Sequence, residues 1–466
     1  MSKKFAGVIG YLVIVICAVL LSTSFGLTSK QIISLTIFVS FIAGSLFYWP
    51  FRNAFALTGV ALLLIFNVLD LQHLVEFAQL DLLLFLIGMM TIIGYLEEKG
   101  FFEWFVGVLT KPFYNRPVVL ISILLMLGAI MAALVDEVTS ILFMMAIMLR
   151  VLDAYGVERS KTLPFIMFLV FTTNIGSSML PVGNPIGVMI AFRAGLTFVD
   201  FIRWVFLLGL FSAALTTLVG LPYLSRIGML AKVKTLHNSN YRGFEEVKFT
   251  RELLVPLLVF IGVLAGLIMH HSVEEMLHLP KNLLLLATPL IGAGVSLFLY
   301  RQKARELIEK KVDWWTLLYF VLLFSSVGTL KYTGVTDLIA DSLLQVVGGN
   351  LIFAILLIGG VAGILTAFMD NVLAVATIIP IVQSMAATGL QTYPIWWSML
   401  IAGTYCGNAT IIGSTANIVA AGFVERRGYG SFSMVKWILI GVPISLLTFF
   451  VALALICLQI PLMPKL

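Results

Sequence analysis

The chain has 466 residues, 61% of them hydrophobic and only 11% charged. Soluble domains carry roughly 25% charged residues, so this composition excludes a soluble enzyme and describes an all-α integral membrane protein with many spans. The formal net charge of +6 follows from topology, as set out below, and calls for no nucleic-acid partner.

Apolar runs long enough to cross a bilayer, about 20 residues, lie near 5–25, 30–48, 53–69, 81–98, 202–224, 251–270, 282–300, 314–331 and 436–458. The first follows Met-Ser-Lys-Lys; it is longer than a signal-peptide core and no small-residue cleavage site follows, so it reads as a span. Two further segments, 163–194 and 394–424, are apolar but broken. In the first, Gly176, Pro181, Gly183, Pro185 and Gly187 cannot all lie in one regular helix. Backbone left unpaired at membrane depth is tolerated only where it is buried in protein or faces a wet cavity, so each break implies a site. With these two, the expectation is about 11 crossings. Two more apolar stretches, 117–152 and 350–387, are interrupted at their middles by Asp136-Glu137 and Asp370-Asn371. Each reads as a hairpin, either re-entrant or a tight pair of spans.

Charge asymmetry sets the expected orientation. With the N-terminus in the cytoplasm and the C-terminus outside, all 29 Lys and Arg fall on the cytoplasmic side except Lys30, Arg193, Arg203, Lys281, Lys331 and Lys465. The halves align by eye: Asp81 with Asp313, Gly100 with Gly334, Asp136-Glu137 with Asp370-Asn371, Gly156 with Gly389, and Arg203-Trp204 with Lys436-Trp437. Five crossings plus a hairpin per half make an inverted repeat. The expected division is an extra N-terminal helix over 1–28, a first repeat over 29–225, a cytoplasmic linker over 226–250 and a second repeat over 251–466.

Inverted repeats hold their substrate near the midplane, between hairpin tips and broken helices. The short neutral hydrogen-bonding residues at the breaks are Asn174, Ser177, Ser178, Asn184, Asn408, Thr410, Ser414, Thr415 and Asn417; these are the candidate substrate-binding groups. Helix caps would place the same residue types there. Asp136, Glu137, Asp370 and Asn371 are the candidate coupling-ion groups, because an acid at mid-span costs about 2.5–3.5 kcal/mol on insertion scales. Asp136 and Asp370 also suit the N-cap of a second hairpin arm. A sodium ion, if one binds, is expected near Asp136, Asn174, Asp370 and Asn408. No Lys or Arg lies at the centre; Arg193, at a span end, reads as a snorkelling side chain. Cys17, Cys406 and Cys457 have no metal or redox spacing, and Cys406, inside the second break, reads as a small buried hydrophobe. The five histidines (73, 237, 270, 271 and 278) fall in or beside polar loops.

The runs Ala133-Leu-Val-Asp-Glu-Val-Thr-Ser-Ile-Leu and Thr173-Asn-Ile-Gly-Ser-Ser-Met-Leu-Pro-Val-Gly-Asn-Pro-Ile resemble the first-half signature of the ArsB/NhaD permeases of the ion-transporter superfamily. Phe368-Met-Asp-Asn-Val and Cys406-Gly-Asn-Ala-Thr-Ile-Ile-Gly-Ser-Thr-Ala-Asn-Ile-Val-Ala-Ala-Gly resemble its second half. The closest style is the P-protein-like, citrate-transporter-domain branch. The resemblance implies re-entrant hairpins, elevator-type motion, a homodimer and a cell-membrane location. Two positions depart from the pattern: Glu137 stands where an Asn commonly follows the Asp, and Asn184 stands where an Asp is common before a proline-rich turn.

The expected function is therefore a secondary carrier of a small oxyanion or weak acid, arsenite-type or carboxylate, coupled to H⁺ or Na⁺ and needing no other cofactor. A sodium/proton antiporter is the alternative, since membrane acids serve either. A channel needs no inverted repeat with paired acids, and no Ser–His, Cys–His or metal constellation supports an enzyme.

Overall fold

The computed structural model describes residues 3–226 and 249–464. The linker expected over 226–250 lies almost wholly outside them, as do His237 and Lys465. Among the described residues the chain is helical and contains no strand.

The first half runs α1 (Lys3–Ser24), α2 (Ser29–Phe47), α3 (Arg52–Ile65), α4 (Leu71–Phe77), α5 (Leu80–Glu98), α6 (Phe101–Thr110), α7 (Pro117–Leu134), α8 (Glu137–Ala154), α9 (Leu163–Gly176), α10 (Pro185–Ala194), α11 (Phe198–Phe201) and α12 (Leu207–Arg226). The second runs α13 (Arg251–Leu277), α14 (Leu283–Tyr300), α15 (Ala304–Lys311), α16 (Trp314–Tyr332), α17 (Val335–Val347), α18 (Leu351–Phe368), α19 (Asn371–Ala387), α20 (Tyr393–Tyr405), α21 (Thr415–Arg426) and α22 (Met434–Gln459). Ten of these helical segments are long and apolar enough to cross a membrane. They contain eight of the nine uninterrupted runs, together with α7 and α18, the first arms of the two hairpins. The run expected over 53–69 is a shorter helix that stops at Ile65, where Asn67 takes a left-handed turn (φ 52°) and Asp70 caps α4 through the His73 N–H.

Four short helices, α4, α6, α15 and α17, were not among the expected elements. Two of them obey one rule. Gly100 and Gly334, at φ 77° and 78°, turn the chain through the left-handed region that glycine enters at least cost. Each starts a helix that buries positions 1, 2 and 6: Phe101, Phe102 and Val106 in α6, and Val335, Thr336 and Ala340 in α17. Both segments are too short to read as spans.

The chain divides into two compact units. One comprises 1–84, 313–354 and 376–392. In it Gln31 caps α2 reciprocally with Thr28 and reaches the Thr333 carbonyl at 3.1 Å. Arg52 donates to Thr316 at 3.1 Å and lies over the rings of Trp49 and Tyr319, at 4.3 and 5.2 Å from their centroids. A planar guanidinium can stack and hydrogen-bond at once, which is how this cation is buried on two rings and a hydroxyl.

The other unit comprises 85–312, 355–375 and 393–466, and holds both hairpin tips and both breaks. Its core is built on backbone-to-backbone approach. A Cβ on Gly176 of α9 would lie 2.1 Å from the Ala129 carbonyl oxygen of α7, and one on Gly441 of α22 would lie 2.3 Å from the Asn408 carbonyl oxygen. Small residues at such crossings let apolar helices pack closely where lipid supplies no hydrophobic drive between them. Between α11 and α12 the chain widens into one π-helical stretch, Ile202–Phe206. At the far end of α5, Lys311 bridges Glu97 and Glu98 at 3.1 and 2.8 Å, so the two acids close to Lys99 are partly neutralised by a residue from another helix.

Candidate functional site

Each broken helix stops for a local reason. After Gly176 the chain turns through Pro181–Gly183, and α10 restarts with Asn184 as N-cap and Pro185 at its first position. An Asn cap followed by proline is a strong start signal, because proline's missing N–H is one the first turn cannot satisfy anyway. In the second half α20 tightens into a 3₁₀ turn at Cys406–Ala409, and Ser414 caps α21 through the Ala416 N–H at 3.1 Å. The hairpins restart in the same way. The Asp136 carboxylate accepts from the N–H groups of Val138 and Thr139, both at 2.8 Å, and Asp370 accepts from those of Val372 and Leu373 at 3.1 and 3.4 Å.

Glu137 is where these four starts meet. The residue is 4% exposed, and its carboxylate accepts from Asn184 at 2.6 Å and Ser177 at 3.2 Å on one oxygen. The other oxygen accepts from Asn371 and Ser414, both at 3.4 Å. Glu137 opens α8, Asn371 opens α19, Asn184 caps α10 and Ser414 caps α21. The positive dipole ends of four helices therefore surround one carboxylate. No Lys, Arg or His pairs with it among the described residues. Neutral donors and dipoles alone hold it.

Beside it lies a triad of asparagines, all fully buried. Asn417 donates to the carbonyls of Gly407 and Thr410 at 2.7 and 2.8 Å, which turns its oxygen toward Asn174. Asn174 then donates to Asn417 at 2.8 Å and to Asn408 at 2.7 Å, and accepts from Ser414 at 3.2 Å. Asn408 donates to the Phe171 carbonyl at 3.2 Å. Two of the contacts, Asn174–Asn408 and Glu137–Asn371, join residues 234 positions apart. The same separation relates Asp136 to Asp370 and Gly100 to Gly334.

Eight of the thirteen candidate side chains thus form one hydrogen-bonded cluster: Glu137, Asn174, Ser177, Asn184, Asn371, Asn408, Ser414 and Asn417. The others are engaged elsewhere. Ser178 donates to the Ile175 carbonyl and Thr410 to that of Ala367. Thr415 donates to Asp370 at 2.8 Å, tying α21 to the second hairpin tip. Asp136 and Asp370 spend an oxygen each on their caps. The two positions that depart from the family pattern, Glu137 and Asn184, are hydrogen-bonded to each other. Cys406 packs against Gly363 of α18, as a small buried hydrophobe would.

Trp437 belongs to the site and was not among the candidates. Its indole N–H donates to the Asn408 carbonyl at 2.9 Å, satisfying a backbone group the break leaves open. The signal was its alignment with Trp204.

The caps carry an expected result. Asp136→Ala removes the carboxylate that accepts from two backbone N–H groups and lowers stability by about 1 kcal/mol, seen as a lower melting temperature in detergent, while ion coupling persists in the protein that folds.

A family model described as citrate transporter matches residues 46–402. An uncharacterized transporter of Mycobacterium tuberculosis is 31% identical over 394 residues, covering 81% of this chain and 86% of that protein. The 46 kDa membrane protein of Mycobacterium leprae is 27% identical over 386 residues, 80% of this chain and 86% of its own. The P protein of Homo sapiens is 24% identical over 457 residues, 81% of this chain and 53% of its own.

Proposed function

The chain belongs to the citrate transporter family, a multi-pass membrane transporter and not an enzyme, and on that premise we propose a carrier that moves a small oxyanion or carboxylate together with a proton or sodium ion. One observation carries this: Glu137, buried without a cationic partner at the start of four helices. Burying an ionised carboxylate alone is costly, and neutral donors offset only part of that cost. Such a group gains stability whenever a proton or cation neutralises it. Four helix N-termini also suit a bound anion, and an ionised Glu137 already occupies that field. Neutralising Glu137 frees the positive ends for a substrate anion, so coupling ion and anion load together. The family's name makes citrate the first carboxylate to try.

The contacts between residues 234 apart support the inverted repeat, because equivalent residues of two copies touch each other only close to a two-fold axis. The asparagine triad lies on that line and suits substrate recognition. Elevator-type alternating access and a homodimer come from the resemblance, a cytoplasmic N-terminus comes from the charge asymmetry, and with the cell membrane as location they complete the proposal.

The test is reconstitution in liposomes holding a pH-sensitive dye, under an imposed proton gradient, with sodium, lithium, arsenite, succinate or citrate added in turn. Proton movement that requires arsenite or a carboxylate is the expected result and identifies the substrate class. Dequenching by sodium or lithium alone would make the protein a sodium/proton antiporter.

A further inference from the structure

We infer that Asn184 and Asn371 are ion-selecting residues, whose amide nitrogens are held toward Glu137 so that its carboxylate cannot bind an alkali cation. This rests on the coupling role given to Glu137 and specifies which ion that site refuses.

A side-chain amide has one end that can ligate a cation and one that cannot: its oxygen carries lone pairs and its NH₂ carries only donors. Which end faces a site is normally inferred from the surrounding hydrogen bonds. Here backbone N–H groups, which can only donate, set the answer. The Asn184 oxygen accepts from the Ile186 N–H at 2.9 Å as the cap of α10, so its NH₂ must point at Glu137, 2.6 Å away. The Asn371 oxygen accepts from the Val372 N–H at 3.0 Å, and its NH₂ faces the other Glu137 oxygen at 3.4 Å. Flipping either amide would set NH₂ against N–H, and flipping Asn184 would also uncap α10 inside the membrane.

A hard cation is bound by a shell of oxygens, and in transporters by unwound carbonyls and helix C-termini. Of the groups that hydrogen-bond Glu137, only the hydroxyls of Ser177 and Ser414 could turn a lone pair inward, and Ser414 already accepts from the Ala416 N–H. Four helix N-termini meet there, whose field repels a cation, against a single C-terminus, that of α9 at Ser177. A proton needs no such shell. Two amides and four dipoles thus disfavour sodium at the place where the carboxylate invites it.

Asn184→Asp tests this directly. An aspartate keeps the cap with one oxygen and turns the other toward Glu137, replacing donors with lone pairs. The readout is the melting temperature of the purified full-length protein in sodium chloride against choline chloride at equal ionic strength, since an ion that binds only the folded state raises it. Wild type should show no difference between the two salts. Asn184→Asp should gain a sodium-specific rise of a few degrees, and Glu137→Gln added to it should remove that rise. Asn371→Asp carries the same expectation if Asn184→Asp does not fold. A sodium-specific shift in wild type that Glu137→Gln removes would overturn the inference, and so would a folded pair of aspartate variants indifferent to sodium. The coupling role of Glu137 fails separately, by coupled transport surviving Glu137→Gln.

Discussion

Glu137→Gln should fold, melt at the same or a higher temperature than wild type, and lose coupled transport down to the level of protein-free liposomes. The two halves of this outcome share one cause. Glutamine has the shape of glutamate and can still accept from Ser177, Asn184, Asn371 or Ser414 through its oxygen, but it cannot take up or release a proton. Replacing a buried charge with a neutral isostere removes a desolvation cost, and such exchanges are often neutral or stabilising by about 1–4 kcal/mol. A residue kept for packing would show the reverse, a less stable protein that retains activity when it folds. The measurement is paired: thermal melting in detergent, and proton flux with substrate in liposomes, on one preparation. Coupled flux at the wild-type rate would remove Glu137 from the mechanism.

Asp136→Ala separates the same two properties in the opposite sense, because Asp136 spends one carboxylate oxygen on the Val138 and Thr139 N–H groups. One residue on in the chain, Glu137 makes no cap contact and points its carboxylate at three other helix starts. Adjacent acids at one hairpin tip thus divide the work, with Asp136 holding the helix and Glu137 facing the site.

That division was only half legible in the sequence. The two acids stood out because a carboxylate in an apolar run is rare and costly, and the breaks stood out because proline and glycine interrupt helices wherever they occur. Both signals are local, so the helix interruptions at Val135–Asp136, Ser177–Asn184, Met369–Asp370 and Thr410–Ser414 could be read directly from the chain. What stayed hidden depends on direction and distance. Asp136 and Glu137 differ by one position on a helix start, and only the first turn of α8 decides which faces its own backbone. The contact between Asn184 and Glu137 spans 47 positions, and no spacing rule encodes it. The short helices α6 and α17 were missed because, at 10 and 13 residues, each is too short to read as a span. Trp437 was visible as a repeated Arg/Lys-Trp pair, but a tryptophan in an apolar run gives no hint that its N–H serves a carbonyl inside the break that precedes it.

Gly176→Ala should remove most folded protein, although it adds a single methyl group to a helix that alanine otherwise favours. The added carbon would lie 2.1 Å from the Ala129 oxygen and 2.4 Å from its Cα. Both are backbone atoms of α7, so no side-chain rotation can relieve the clash; α7 and α9 must separate along a crossing where a Cβ on Gly128 would also lie 2.7 Å from Leu169 Cδ1. Overpacking of a tight core typically costs about 1–3 kcal/mol and sometimes more, and here the strain falls two residues after Asn174 and one before Ser177. Separation of the helices would pull the first break away from the asparagine triad and from Glu137, so any protein that does fold should also transport poorly. Gly107→Ala is the control. Nothing lies within 4 Å of a Cβ at Gly107 in α6, and alanine inside a helix is worth about 0.5–1 kcal/mol over glycine. The monodisperse fraction on size exclusion and the melting temperature should fall sharply for Gly176→Ala and hold or rise for Gly107→Ala. Equal behaviour of the two would mean that α7 and α9 do not depend on backbone contact at Gly176, and that the geometry of the first break is set by its caps alone.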